Sequence, residues 1–271
     1  MIQTFIPYGD VPKTEMAGSP PLCWFTSDSE ERYRRDPHPT LKPEDVIYRF
    51  NDYGYRCAPF SSRSEINVVF IGCSWIFGTG LPEEATAASI FCRLLEKQVG
   101  KTVTNWNLGF PAKSNDYIAR TLLCAVPLLR PDLVVVNFTY APRREYIPLD
   151  GEMMNLLPAF KTLHLVRDLV RRRLYKHLYA LASEYEDQMN LFKNYKLVEL
   201  VLEKHKTKWL FSANDLNDLE PIRDQLCRDI FLEPGLQITD RARDLGHPGI
   251  ESNRRFATRI FEAYQSVYGA L

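Results

Sequence analysis

The run Asn67-Val68-Val69-Phe70-Ile71, halted at Gly72, restricts the fold more than any other feature of the chain. It carries no charge, is rich in β-branched side chains and stops at a glycine. A strand with one wet face would alternate polar and apolar positions, so this run suits a strand covered on both faces, as in a parallel sheet. Similar runs follow at residues 102–107, 132–138 and 208–211.

Helical patterns separate these runs. Residues 82–98 place Ala85, Ala88, Phe91, Leu94 and Leu95 on one face, with Glu83 and Glu84 in the first turn and Gly100 just past the end. A second helix from about Ser114 carries Ile118, Leu122 and Ala125, and Pro127 should end or kink it. A long helical stretch runs from about residue 154 to 205, and residues 250–268 read as a last helix with Phe256, Ile260, Phe261 and Tyr264 inward. Strands alternating with helices predict an α/β three-layer sandwich, a parallel sheet covered on both faces through right-handed crossovers.

Upstream, residues 1–60 are rich in proline, charge and turn formers, and close with Val46-Ile47-Tyr48-Arg49-Phe50-Asn51 before Gly54. They predict an irregular arm ending in one short strand and packed on a single domain of residues 61–271. Within that domain, residues 150–205 form a helical insertion. There Arg167, Arg171, Arg172, Arg173 and Lys176 crowd beside Leu163, Val170 and Leu174, as either a solvated helix face or an anion-facing lid.

Composition bears on partners and compartment. The 34 basic and 34 acidic residues cancel, which gives no overall pull toward nucleic acid. The six cysteines show no C-x-x-C pair and no zinc-like spacing, so they read as free thiols in a reducing, cytoplasmic setting. No segment has the length and apolarity of a membrane span, so a membrane partner is not expected.

A serine becomes a useful nucleophile only when a base takes its proton, a third group orients that base, and donors await the oxyanion. In an open parallel sheet such groups gather at the carboxyl ends of the strands. Gly72-Cys73-Ser74-Trp75 lies at one such end, and Gly72 allows the sharp turn that would present Ser74. Far along the chain, Asp244-Leu245-Gly246-His247-Pro248-Gly249 sets a carboxylate three residues before a histidine in a short loop. Asp244 can orient one nitrogen of His247 and leave the other for Ser74, a task suited to a group that titrates near neutrality. His38, His164, His177 and His205 lack such a setting.

Taken in order, Gly72-x-Ser74 after the first core strand, Asn107-Leu108-Gly109 after the second and Asp244-x-x-His247 before the last helix resemble the SGNH, or GDSL-like, hydrolases. The likeness covers roughly residues 66 to 268. It implies a flavodoxin-like sheet of about five strands. It also implies a catalytic triad of Ser74, Asp244 and His247, with the N–H groups of Ser74 and Gly109 in the oxyanion hole. No metal or organic cofactor is implied. The Tyr48-x-x-Asn51-x-x-Gly54-Tyr55-Arg56 segment is similar to the lead-in of some members near polysaccharide-modifying acyl enzymes. An α/β-hydrolase fits less well, because Ile76 stands where the last glycine of Gly-x-Ser-x-Gly belongs.

Two departures stand out. The family's Gly-Asp-Ser is Gly72-Cys73-Ser74 here, with Cys73 expected to face the core. The Gly-x-Asn that should follow the third strand is absent, and Ala141 takes the place of the oxyanion asparagine. Thr139, Asn115, Arg143 or Arg144 could supply a substitute donor. Loss of one such donor costs roughly a hundred- to a thousand-fold in rate. Trp75, Phe110, Asn115 and Arg143 are candidate substrate contacts.

The resulting expectation is a serine ester hydrolase acting through an acyl-serine on an acetyl-like group of a carbohydrate or small-molecule ester. An acyltransferase sharing that intermediate, and a non-catalytic binding protein that kept the fold, are the alternatives.

Overall fold

The computed structural model describes residues 10–146, 154–156, 173, 175–177, 180 and 182–269. Its centre is a four-stranded, wholly parallel sheet of β1 (Ile66–Ile71), β2 (Val103–Asn107), β3 (Leu133–Phe138) and β6 (Lys208–Ala213), in the order β2-β1-β3-β6. β1 and β3 lie in the middle and are buried at every position, which is why their sequences read as continuous apolar runs. A fifth, parallel position is held by a single bridge, Phe211 to Phe231, where Leu232 N–H donates to the Phe211 carbonyl at 2.7 Å.

Helices cover both faces. From β1 the chain moves outward to β2 through α3 (Ala87–Val99), then returns past β1 to β3 through α4 (Asn115–Leu129). Because parallel crossovers are right-handed, this reversal of direction puts α3 and α4 on opposite faces. α5 (Glu184–Lys204) packs with α4, and the last helix, α6 (Ile250–Tyr268), packs with α3. On α6, Phe256, Ile260 and Tyr264 are buried and Phe261 is half-buried against the core.

Helix ends follow their sequence signals. Thr86 caps α3, its side chain accepting from Ser89 N–H, and Gly100 ends it in the left-handed region. Ser114 caps α4 in the same way. Pro127 does not end α4, which runs on to Leu129. It sits in the last turn, so only the Leu123 carbonyl loses a donor, and Leu123 is on the exposed side.

A different outcome appears after β3. Arg144–Tyr146 (β4) pairs antiparallel with Met154–Leu156 (β5), where the periodicity predicts the start of a helix. Pairing with a neighbouring segment overrides the helical preference of residues 154–156 here, as is common for strands. Leu163, Arg167, Val170, Arg171, Arg172 and Leu174, the heart of the predicted lid or solvated face, lie outside the described residues.

The arm is built into the domain by polar ties. It contains a short helix, α1 (Glu30–Arg35), and its expected closing strand reduces to one antiparallel bridge, Leu22 to Tyr48. Arg56 is buried and its guanidinium donates to the carbonyls of Gly78 and Leu81 at 2.8 and 2.7 Å. Arg243, also buried, pairs with Asp28 at 2.7 Å and donates to carbonyls of Pro43 and Cys23. No helix among the described residues is long and apolar enough to cross a membrane.

Candidate active site

Ser74 opens a single-turn helix, α2 (Ser74–Phe77), directly after β1. Gly72 makes the turn possible by its lack of a side chain: a Cβ there would lie 2.7 Å from Ile76 Cγ1 and 2.9 Å from the Asn137 carbonyl oxygen. The chain can therefore fold back against β3 and still direct Ser74 at the cleft.

Asp244 and His247 come from the loop before α6. Asp244 Oδ1 accepts the N–H groups of Gly246 and His247, each at 3.0 Å, and this closed turn carries Leu245 in the left-handed region at φ 53°. Asp244 Oδ2 then meets His247 Nδ1 at 2.6 Å, and His247 Nε2 meets Ser74 Oγ at 2.8 Å. The three residues brought together from opposite ends of the chain form one hydrogen-bonded series. Asp244 is 2% exposed. Burial opposes its ionisation, but hydrogen bonds from His247, the His247 charge, Gly246 N–H and Ser27 outweigh that and hold its carboxyl down to about 2. It is thus a fixed negative charge that can stabilise an imidazolium.

Ser27 is a part of this site that sequence reasoning missed. Its hydroxyl donates to Asp244 Oδ2 at 2.9 Å from a tight turn in the arm, in which Phe25 and Asp28 exchange backbone hydrogen bonds and Thr26 is left-handed at φ 55°. Arg32 of α1 stands 3.9 Å from the same oxygen. A separation of 217 positions between Ser27 and Asp244 leaves no local signal of the contact.

The oxyanion side differs from expectation. Gly109 N–H donates to Asn107 Oδ1 at 3.0 Å, and Asn107 in turn donates to the Ile76 carbonyl at 2.8 Å. Gly109 therefore serves close packing, since a Cβ would lie 2.7 Å from Phe77 N, and its N–H is committed within the loop. Three residues on, Ala112 is left-handed at φ 62°, and its N–H makes no hydrogen bond among the described residues. The Ser74 N–H, in the first turn of α2, is likewise open.

Among the proposed substitutes for the missing asparagine, Asn115 is fully buried and clamps the Thr139 backbone, accepting its N–H at 2.9 Å and donating to its carbonyl at 3.0 Å. That removes Asn115 as a substrate contact and leaves Thr139 only its hydroxyl, which is buried beside the Cys73 sulfur. Ala141 is buried and brings no side-chain donor. Arg144 is engaged by Asp187 at 2.6 Å and by the Ala141 carbonyl. Phe110 is buried among Phe25 and Phe77, so it belongs to the core. Trp75 and Arg143 are half-buried.

Cys73 is buried, but its surroundings are polar. Asn214, just beyond β6, donates to its sulfur at 3.1 Å and accepts from Asn137 at 2.5 Å. Burial pushes the thiol up, yet the Arg143 charge together with the Trp75 N–H, Asn214 and Thr139 holds it below its ordinary value. Ser74 Oγ is 4.0 Å from this sulfur.

A parallel α/β sheet that presents a serine, a histidine and a buried aspartate in series at its carboxyl ends has the geometry of an activated serine nucleophile. Solved structures similar to this chain include that of TesA, at 11% identity over 74% of this chain and 99% of that one, with a TM-score of 0.47. The psychrotrophic esterase EstA from Pseudoalteromonas sp. shares 8% identity over 74% of this chain and 98% of its own, with a TM-score of 0.46. An acetylxylan esterase from Geobacillus stearothermophilus shares 14% over 77% and 96%, with a TM-score of 0.33. No family model and no curated protein matches the sequence.

Proposed function

We propose that the chain is an SGNH-type serine ester hydrolase that removes a short, acetyl-like acyl group from a carbohydrate or small-molecule ester. The observation that carries this reading is the series from Asp244 through His247 to Ser74, with contacts of 2.6 and 2.8 Å. As Ser74 Oγ attacks the ester carbonyl, His247 Nε2 takes its proton, and Asp244 stabilises the charged ring and keeps its orientation. The tetrahedral oxyanion is received by the Ser74 N–H, in the first turn of α2. Collapse of this intermediate passes the proton from His247 to the leaving alcohol. Water, activated by the same ring, then releases the acid and restores Ser74. The free thiols, with Cys23 and Cys227 exposed, support a reducing, cytoplasmic setting.

Intact mass after exposure to a fluorophosphonate tests the reading. One adduct on the unaltered chain, absent from Ser74→Ala and His247→Ala, is the expected result. A folded chain that takes no adduct while a control esterase reacts would instead be a binding protein on this fold.

A further inference from the structure

Because β1 lies between β2 and β3, the turn that carries Ser74 is bracketed by the loops leaving those two strands. On one side Phe110 N–H donates to the Gly72 carbonyl at 3.1 Å; on the other Gly72 abuts the Asn137 carbonyl. Each loop contributes a cation. Lys113 comes from the first and Arg143 from the second, and Arg143 Nη1 reaches the Lys113 carbonyl at 3.4 Å.

Neither cation is well matched by the protein. Arg143 Nε is buried without a hydrogen-bond partner, and no carboxylate among the described residues lies within 4.0 Å of the guanidinium, which rests over the Tyr140 ring. Nearby carboxylates are already claimed. Glu145 is paired with Arg120, Asp187 with Arg144, and Asp218 accepts the Ala141 N–H at 2.8 Å. Asp116 is held by Asn190, Asn194 and the Glu145 N–H. Lys113 is 8% exposed, lies over the rings of Phe110 and Tyr117, and has its carboxylate neighbour, the exposed Glu15, at 3.8 Å. Buried or half-buried cations without full partners are costly, and a fold tolerates them where a ligand completes the pairing. Both cations stand on the two loops that flank the Gly72 turn, and the Arg143 charge acts on Cys73, the residue next to Ser74.

We infer that Arg143 and Lys113 form a subsite beside Ser74 for a carboxylate or phosphate carried by the ester itself, so that the enzyme selects anionic esters. This deepens the hydrolase reading and rests on it for its chemistry, but the anion site can be tested without turnover. In thermal unfolding, millimolar phenylphosphonate should raise the melting temperature by several degrees where benzyl alcohol does not. The gain should vanish in Arg143→Gln and persist in part in Arg143→Lys, which keeps the charge but loses the planar fork. No gain in the unaltered chain, or an equal gain in Arg143→Gln, overturns the subsite whether or not Ser74 reacts.

Turnover then locates the anion. The ratio of kcat/KM for 4-nitrophenyl hydrogen succinate to that for 4-nitrophenyl acetate reports on the acyl side. The ratio for 4-acetoxybenzoate to its methyl ester reports on the alcohol side. At least one ratio should exceed about tenfold, the worth of a charge-assisted hydrogen bond, and fall toward one in Arg143→Gln. A purely structural role for Arg143 would lower both members of a pair alike and leave the ratio unmoved. Preference for the neutral ester in both pairs overturns the inference, whereas failure of Ser74 to take a fluorophosphonate defeats the hydrolase reading alone.

Discussion

Asp244 is the residue whose surroundings decide most. His247, Gly246 and Ser27 bond to a carboxylate that is nearly inaccessible, and the Arg32 guanidinium stands 3.9 Å from it. Its folded pKa, about 2 against an ordinary 3.8, is depressed, so it adds stability that is fully present above about pH 4 and lost as pH falls toward 2. The amount is roughly 2 kcal/mol, and urea unfolding across that window should show a shallower acid dependence in Asp244→Asn than in the unaltered chain. Ser27→Ala removes one neutral donor from the same oxygen and leaves the His247 contact intact. It should lower kcat/KM by about fivefold, the worth of roughly one hydrogen bond, with a change in melting temperature too small to explain it. Ser74, Asp244 and His247 were legible as candidates because the serine follows a glycine at a strand end and the aspartate and histidine share a short glycine-bearing loop before the last helix. Ser27 and Asn214 were not, since a serine in an arm and an asparagine after a strand acquire meaning only from what the fold sets against them.

At the scale of elements, the strands and helices of the core were readable because burial on both faces and helical amphipathicity leave strong periodic marks. β4 and β5 were not readable, because their pairing depends on two segments meeting, and Pro127 misled because its cost depends on where in the helix it falls. The turn from β1 into α2 is the element that sets Ser74 against His247. A methyl group at residue 72 would press on Ile76 and on the β3 backbone at Asn137, neither of which is the loose end of a flexible side chain. Gly72→Ala should therefore cost about 1–3 kcal/mol in stability and displace Ser74 from His247. Fluorophosphonate labelling by the still-folded variant should be slower by a larger factor than partial unfolding accounts for.

Across the whole molecule, the arm is held by buried polar bonds as well as by apolar contact, with Val46 and Tyr48 packed on Phe77. Arg243, the residue before Asp244, grips Asp28, while Tyr48 donates to Asp28 at 2.5 Å and accepts the Gly80 N–H at 2.8 Å. One buried cluster thus ties the arm to the loop that carries Asp244 and His247. Arg243→Ala would leave Asp28 as a buried charge without its partner, at a cost of about 3–5 kcal/mol. Limited proteolysis should then cut first within residues 10–56, and activity should fall with the loss of the Ser27 contact. Arm cleavage at the unaltered rate would show that the cluster does not fasten the two parts.

By itself, the sequence determined the parallel α/β plan and the pairing of a strand-end serine with an aspartate and histidine before the last helix. Those features are written in local period, in glycines at tight approaches and in short-range spacing, all of which a single stretch of chain expresses. Only the tertiary structure decided that Gly109 and Asn115 are spent on the fold, and that Ser27 supports Asp244. It also decided that Arg143 has no carboxylate within 4.0 Å among the described residues. Each of these is a question of which partner a polar group has already found, and the answer depends on contacts between segments far apart in the chain.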